Sequence, residues 1–285
     1  MCSFYSIIER AGILKEGYRD VTLNFIDTHC HIIHGVDDGP ASMETSIEMA
    51  RLAMDDGITT VVATPHIVEG YYDGHDRSER LRQLGSRLSD ASIFLELVAG
   101  AEVPMSACLT GDAGLLKPLA LNGGIYLLME TADTTFEQLA QAVYQIRLCG
   151  LYPILAHPER TRFVQDNPSR LAEIVARGEV FCQLTAASLD GTFGKSLQKS
   201  SLVLARSGLM HLVASDAHST GRRKPCLSGA YEILRKELGE TAARMVTHEN
   251  PRRVLESQEL ENAVRNSGAD VSGRSVLARF MHRRR

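Results

Sequence analysis

The sequence predicts an α/β fold, a distorted seven-stranded (β/α) barrel in a single domain, and three observations carry that expectation. Seven apolar runs bounded by Gly, Pro and polar turns recur along the 285 residues, at 24–27, 59–64, 93–101, 125–130, 152–156, 180–184 and 212–215. Most are nearly continuous in apolar residues, as strands of a parallel sheet covered on both faces are. The segments between several of them have helical periodicity, and strands alternating with helices in this way wind into a barrel. An open doubly wound sheet is the competing architecture, but no GxGxxG turn follows the first strand to support a dinucleotide site.

Each element has a local reason. The first strand, NFID, runs into THCH, and the helix expected over 43–56 places Ile47, Ala50, Leu52, Ala53 and Met54 at helical spacing before Gly57 stops it. Ser42 and Glu44 supply a helix start after the turn GVDDGP. Further helices are expected over 76–88, 135–149, 168–176, 195–207, 227–238 and 241–248. Residues 1–23 read as an N-terminal extension, 24–258 as the catalytic domain and 259–285 as a tail ending in the basic MHRRR, a solvated end by the usual behaviour of termini.

Composition narrows the function. With 44% hydrophobic and 23% charged residues the chain is neither collagenous nor disordered. Lys and Arg number 31 against 35 Asp and Glu, so the formal charge is −4 and no bulk cationic field draws the molecule to nucleic acid or anionic lipid. Any recognition of phosphate is therefore local. The cysteines Cys2, Cys30, Cys108, Cys149, Cys182 and Cys226 are far apart and form no CxxC pair, which argues against a disulfide framework or a thiolate zinc site. No apolar run approaches the roughly 18 residues of a membrane span. The first residues carry Glu, Arg, Lys and Asp where a signal peptide needs an apolar core. A cytoplasmic protein that does not span the membrane is the expectation; a homo-oligomer is compatible with it.

The chemistry lies at the strand ends. His29 and His31 flank Cys30, and because strand side chains alternate, both imidazoles point to one side while Cys30 faces packing. HxH alone is equally compatible with two satisfied histidines. His66 ends the second run in ATPH, Glu102 the third in AGAE, Glu130 the fourth in LLME and His157 the fifth in ILAHPER, while Asp216 and His218 end the seventh in VASDAH. In a βα barrel the C-terminal ends of the strands converge on one face, so these residues meet. Asp37 and Asp38 lie in the loop beside this rim, where either supplies a further oxygen or simply turns the chain into the next helix.

His29, His31, Asp38, His66, Glu102, Glu130, His157, Asp216 and His218 make nine ligand candidates, more than one four-coordinate ion can use, so two or three metals are expected. Five imidazoles, four carboxylates and no thiolate suit Mn, Fe, Zn or Co. Such ions generate a hydroxide at neutral pH and clamp the attacking and leaving oxygens of an in-line displacement, which points to hydrolysis of a phosphate ester. Arg160 in HPER and Arg222 or Arg223 after His218 would reach the same rim, where a guanidinium matches phosphate oxygens. Neither a GxxxxGK[ST] loop, a GxSxG elbow nor a thiol-phosphatase Cys-x5-Arg motif competes.

DTHCH, ATPH, GAE, HPER and SDAH together resemble the polymerase and histidinol phosphatase (PHP) family over about 26–255, and HIIHGVDDGP, ILAHPER and VASDAH followed by Arg resemble its bacterial protein tyrosine phosphatases. The resemblance implies a distorted seven-stranded barrel, three metals commonly including manganese, and dephosphorylation of a membrane tyrosine autokinase of capsule and exopolysaccharide synthesis. Carried over by position, it implies that His29, His31, Glu102 and Asp216 hold one metal, that Glu102 bridges to a second completed by Glu130 and His157, and that Asp38, His66 and His218 hold the third. Arg160 and Arg223 would orient phosphate for attack by a metal-bridging hydroxide, with His218 or a bound water as proton donor. After Glu130 the chain reads TADTT, without the aromatic or proline-rich continuation associated with relatives.

Three rivals remain at this level. A histidinol-phosphate or other small-molecule phosphatase uses the same donors. A PHP nuclease or polymerase domain is disfavoured by the acidic balance. A catalytically inactive phospho-binding module would keep the rim and lose turnover.

Overall fold

The computed structural model describes residues 24–67, 74–131 and 135–263. The expected N-terminal extension 1–23 lies outside the described residues, as do the basic end of the tail, Cys2 and most of the TADTT segment. Parallel strands form two sheets: β1 (Phe25–Cys30), β2 (Ile58–Ala63) and β3 (Glu96–Ala99) in one, and β4 (Glu102–Val103), β5 (Tyr126–Glu130), β6 (Tyr152–Ala156), β7 (Phe181–Thr185) and β8 (Leu212–Ala214) in the other. Helices return the chain between strands, among them Met43–Asp55, Gly74–Asp90, Phe136–Leu148, Pro168–Ala176, Lys195–Arg206 and Ser228–Leu238. Ser42 caps the first of these, its side chain accepting from Thr45 N, and Thr135 opens a reciprocal capping box with Gln138 on Phe136–Leu148.

The architecture is an α/β domain of parallel sheets, as expected, but neither sheet closes on itself and the third apolar run is not one strand. The run expected at 93–101 enters the sheet only at Glu96 and breaks at Gly100, where β3 leaves β2 and β4 takes up β5. A side chain at Gly100 would sit 2.8 Å from Leu121 and 2.9 Å from Val62, so the break occurs where only a glycine fits. Among the described residues eight strands therefore stand where seven were expected. The helix expected over 241–248 is likewise divided, into Glu240–Arg244, a wider π-type turn Met245–Glu249 and Asn250–Leu255.

Backbone hydrogen bonds link the two sheets at both edges. Glu102 N donates to Pro65 O and Ile67 N to Glu102 O on one side; on the other, Asp216 N donates to His29 O and His31 N to Ala217 O.

Strand alternation sorts the side chains. One phase packs outward against the helices, as with Val61, Ala63, Leu127, Met129, Leu155, Cys182, Leu184 and Val213. The other phase forms a second cluster with Val62, Val98, Tyr126, Leu128, Ile154, Phe181 and Leu212, joined by Val254 and Leu260. That same phase, followed toward the C-terminal strand ends, becomes polar: Val98 leads to Glu102, Leu128 to Glu130, Phe181 to Gln183 and Leu212 to Asp216, beside His29 of β1 and His31 just past its end. An apolar plug at one end thus sets the level of a polar floor at the other. Past residue 258 the chain stays on the domain, with Leu260 and Ala263 buried and Tyr126 donating to Gln258 O.

Candidate metal centre

All nine donors named above fall into one connected cluster. His29, His31 and Asp216 offer atoms within 4.8 Å of one another, as do His31, Asp38, His66 and His218, and His66, Glu102 and Glu130. His157 joins through Glu102, its Nε2 lying 3.0 Å from Oε1, while Oε2 of the same carboxylate faces His29, His31 and His66 at 3.2, 3.3 and 3.2 Å. Glu102 is thus the hub, with its two oxygens turned toward different histidines. The groups overlap at His31 and His66 instead of separating into three independent sets.

Backbone geometry aims two of these side chains. His157 (φ 39°), directly after β6, and Asp216 (φ 53°), two residues after β8, both adopt the left-handed region. Neither is glycine, and a residue held there costs about 1 kcal/mol or more. The turn takes His157 out of the alternation of β6 toward Glu102 and sets Asp216, in phase with Leu212, against His29.

Outer partners fix the imidazoles. His31 Nδ1 is 2.7 Å from Asp37 Oδ2, His29 Nδ1 is 3.2 Å from Gln183 Oε1, and His218 Nδ1 is 3.0 Å from Asp216 O. Each of these acceptors holds a proton on Nδ1, which leaves Nε2 with a bare lone pair in the neutral ring. His29 Nε2 lies 3.0 Å from His31 Nε2, a pair that a proton on one ring bridges and a cation would otherwise satisfy, and His218 Nε2 lies 3.1 Å from Asp38 Oδ1 without a hydrogen bond. Asp216 Oδ2 is another buried oxygen without an aligned hydrogen bond, although Arg160 Nη2 is 2.7 Å away. Converging lone pairs from buried imidazoles and carboxylates are what divalent cations satisfy, so the donor set fits metal.

Charge shifts agree. Burial would raise the Glu102 carboxyl, but the surrounding histidines, His29 first, hold it well below the usual carboxylate range. Asp216 is likewise held low against burial, by His29, Arg160, His157 and Arg223. Burial would lower His31, yet the Asp37 and Glu102 carboxylates raise it to about 9. His218 goes the other way, to about 4, through burial and the positive charges of His31 and Arg223.

Arg160 Nη2 also donates to Thr185 Oγ1, and Arg223 Nη2 donates to Asp216 Oδ1 at 3.0 Å, so both guanidinium groups border the cluster. Arg222 does not reach it; its Nη2 donates to Thr192 O. Cys30 faces away into packing and is fully buried.

The capsular polysaccharide synthesis CpsB/CapC family model matches residues 25–256, which include every one of these donors. The chain belongs to the CpsB/CapC family. Within curated proteins it is 39% identical to the tyrosine-protein phosphatase YwqE of Bacillus subtilis over 236 residues, 82% of this chain and 92% of that one. It is 28% identical to the tyrosine-protein phosphatase CpsB of Streptococcus pneumoniae over 241 residues, 82% of this chain and 99% of that one. Among solved structures, a chain from work on YwqE and CpsB, described there as unique metal-dependent tyrosine phosphatases, aligns with a TM-score of 0.76 and 38% identity. That alignment covers 82% of this chain and 95% of the other.

In this CpsB/CapC chain several residues support the donors in ways the sequence did not indicate, although Asp37 was itself a candidate oxygen ligand. Asp37, next to the candidate Asp38, is almost wholly buried and accepts from His31 Nδ1, Gly39 N and His66 N, whereas Asp38 is 60% exposed. Gln183 orients His29 from β7. Asp27, pushed up to about 6 by burial against the hydrogen bonds from Ser215 and His29, joins the foot of His29 to Ser215, the residue between β8 and Asp216. The signal for Asp37 was the doubled acid of GVDDGP, and Asp27 opens DTHCH without a role being marked for it; Gln183 carried none.

Proposed function

We propose that this chain is a metal-dependent protein-tyrosine phosphatase that acts in the regulation of capsular and exopolysaccharide synthesis, with a membrane tyrosine autokinase as its phosphotyrosine partner at the cytoplasmic side. The observation that carries the reading is the convergence of five histidines and four carboxylates on one strand-end face, bordered by Arg160 and Arg223. Relatives named as tyrosine phosphatases over more than 90% of their own length support it. The catalytic domain is the 24–258 segment, with residues 259–263 of the expected tail packed back onto it. The edge hydrogen bonds from Glu102 and Ile67, and from His31 and Asp216, support treating the two sheets as a distorted (β/α) barrel of the PHP type.

His29, His31, Asp38, His66, Glu102, Glu130, His157, Asp216 and His218 would hold two or three divalent ions, manganese first, with Fe, Zn or Co also suited to the donors. Such ions lower the pKa of bound water and polarise phosphoryl oxygens. Arg160 and Arg223 would bind the non-bridging phosphate oxygens. Thr185 and Asp216 hold the Arg160 fork, and Asp216 holds that of Arg223, so their orientation is set before substrate arrives. Both guanidinium groups remain partly exposed, at 26% and 34%, as an incoming phosphate requires. His218 offers Nε2 to the site; with its pKa near 4 that atom is unprotonated at neutral pH, which suits a ligand better than a proton donor. A tyrosyl leaving group needs little acid help because a phenol ionises near about pH 10.

The deciding experiment is hydrolysis of a phosphotyrosine peptide and of histidinol phosphate, side by side, by the manganese-supplemented protein with a chelator control. Preference for the peptide, lost with chelator, supports the reading. Preference for histidinol phosphate moves the protein to small-molecule metabolism, and metal binding with no turnover on either makes it a phospho-binding module.

A further inference from the structure

We propose that Phe193 forms the wall against which the aromatic ring of an aryl phosphate packs, so that it selects phosphotyrosine over alkyl phosphates; the inference rests on the phosphatase reading of the site. Phe193 lies in the turn after β7 and the short helix Ala186–Leu189. That turn is held by its own backbone: Phe193 N donates to Ala187 O at 3.0 Å, Gly194 N to Gly191 O at 2.9 Å, and Thr192 N to the Asp190 side chain at 2.8 Å. Gly191 and Gly194 take φ values of 89° and 103°, conformations that side chains on Cα oppose, so the loop is built to place the two residues between them, Thr192 and Phe193.

The ring has no core to fill. It is half-buried, yet it belongs to neither hydrophobic cluster nor to the partly buried side chains packed on them, unlike Phe136 and Phe163. Its neighbours are cations. The Arg160 guanidinium carbon lies 4.9 Å from the ring centroid and that of Arg222 lies 5.8 Å away. Arg160 simultaneously reaches Asp216 at 2.7 Å, so one guanidinium separates this ring from the donor cluster. A phosphate bound on Arg160 carries its ester group into this neighbourhood. An aryl ester brings a second ring, joined to phosphorus through one oxygen, to where a first ring is already fixed; an alkyl ester does not. Offset or edge-to-face ring pairs add to affinity beyond simple burial, and Arg222, anchored on Thr192 O, supports the outer side of the wall.

The test measures binding of phenylphosphonate and methylphosphonate to the metal-loaded full chain by calorimetry, for wild type and for Phe193→Leu, Phe193→Ala and Phe193→Tyr. The expected result is a wild-type preference for the phenyl ligand that falls about threefold to tenfold in Phe193→Leu and Phe193→Ala and persists in Phe193→Tyr. Leucine keeps the bulk of the side chain, so the comparison survives if the alanine variant does not fold. A phenyl preference that is absent in wild type or unchanged in Phe193→Leu overturns the proposal. So does an equal loss for both ligands, which would mean that the ring only props Arg160. Phenyl preference that depends on Phe193 in a protein unable to hydrolyse a phosphotyrosine peptide would uphold the wall and remove the phosphatase reading.

Discussion

Asp37→Asn removes a charge without changing shape, and its effect follows from three hydrogen bonds. Asp37 Oδ2 accepts from His31 Nδ1 at 2.7 Å and from His66 N at 3.0 Å, while Oδ1 accepts from Gly39 N at 2.9 Å. An asparagine has one acceptor oxygen and one NH2, so it cannot serve both sides, and His31 loses its anionic partner. Carboxylates behind ligating histidines are typically worth about 10-fold to 100-fold in metal affinity, or roughly 1.4 to 2.7 kcal/mol. The sign with pH is specific. Because Asp37 and Glu102 raise His31 to about 9 against the effect of burial, a metal entering the wild-type site below that pH must displace a proton. Losing Asp37 lowers that pKa and eases displacement, so the variant's deficit is smallest near neutrality and grows as pH rises toward 9. Competition with a fluorescent chelator across this range measures it, alongside hydrolysis at limiting and saturating manganese. Saturating metal restores most of the turnover in the variant. Metal affinity within twofold of wild type at every pH, or a turnover deficit that excess metal does not reduce, would refute the role assigned to Asp37.

Arg160→Ala retains metal content and melting temperature but lowers kcat/KM by about 100-fold to 1000-fold, as loss of one preorganised donor to the transferring group does; metal analysis with steady-state kinetics checks it. His211 gives a pH prediction remote from the chemistry: buried and accepting from Cys182 N through Nδ1, it is depressed to about 4, since burial opposes its charge and a proton on Nδ1 would confront that donor. Its contribution is complete above the unfolded pKa near 6.5 and is lost as pH falls toward 4, up to about 3 kcal/mol, so the stability read from denaturant melts should fall less between these pH values in His211→Gln than in wild type.

What was legible in the sequence was whatever combined a distinctive residue type with a strand end. His29, His31, His66, Glu102, Glu130, His157 and Asp216 all occur where an apolar run stops, and the fold brings such ends together. The break at Gly100 was hidden because ELVAGAEV reads as one apolar segment; only the close approach of Val62 and Leu121 shows that no side chain fits there. The outer partners were hidden for a different reason. Gln183 meets His29 across 154 residues and Asp27 meets Ser215 across 188, and neither a strand glutamine nor a buried aspartate has a spacing that marks its task. Arg222 and Arg223 are adjacent in a loop, so periodicity could not separate them; hydrogen bonds to Thr192 O and to Asp216 do.

The site opposes local preference at several points at once. His157 and Asp216 hold left-handed backbone, Nε2 of His29 meets Nε2 of His31, and Glu102 keeps an ionised carboxylate almost wholly out of water. Each feature is unfavourable alone, and the same change would relieve the last two: cations among the donors. The surrounding sheet supplies the rigidity that keeps the donors from relaxing apart. Asp27 ties Ser215 to β1 beneath His29, Asp37 ties His31 to the backbone of His66, and Gln183 ties His29 to β7. These three residues come from separate elements and each fixes a donor to a neighbouring strand. Preorganisation here is therefore a property of the strand-to-strand polar contacts more than of the donors themselves, which is why Asp37, placed behind His31, is the residue whose loss should most cleanly separate metal affinity from catalysis.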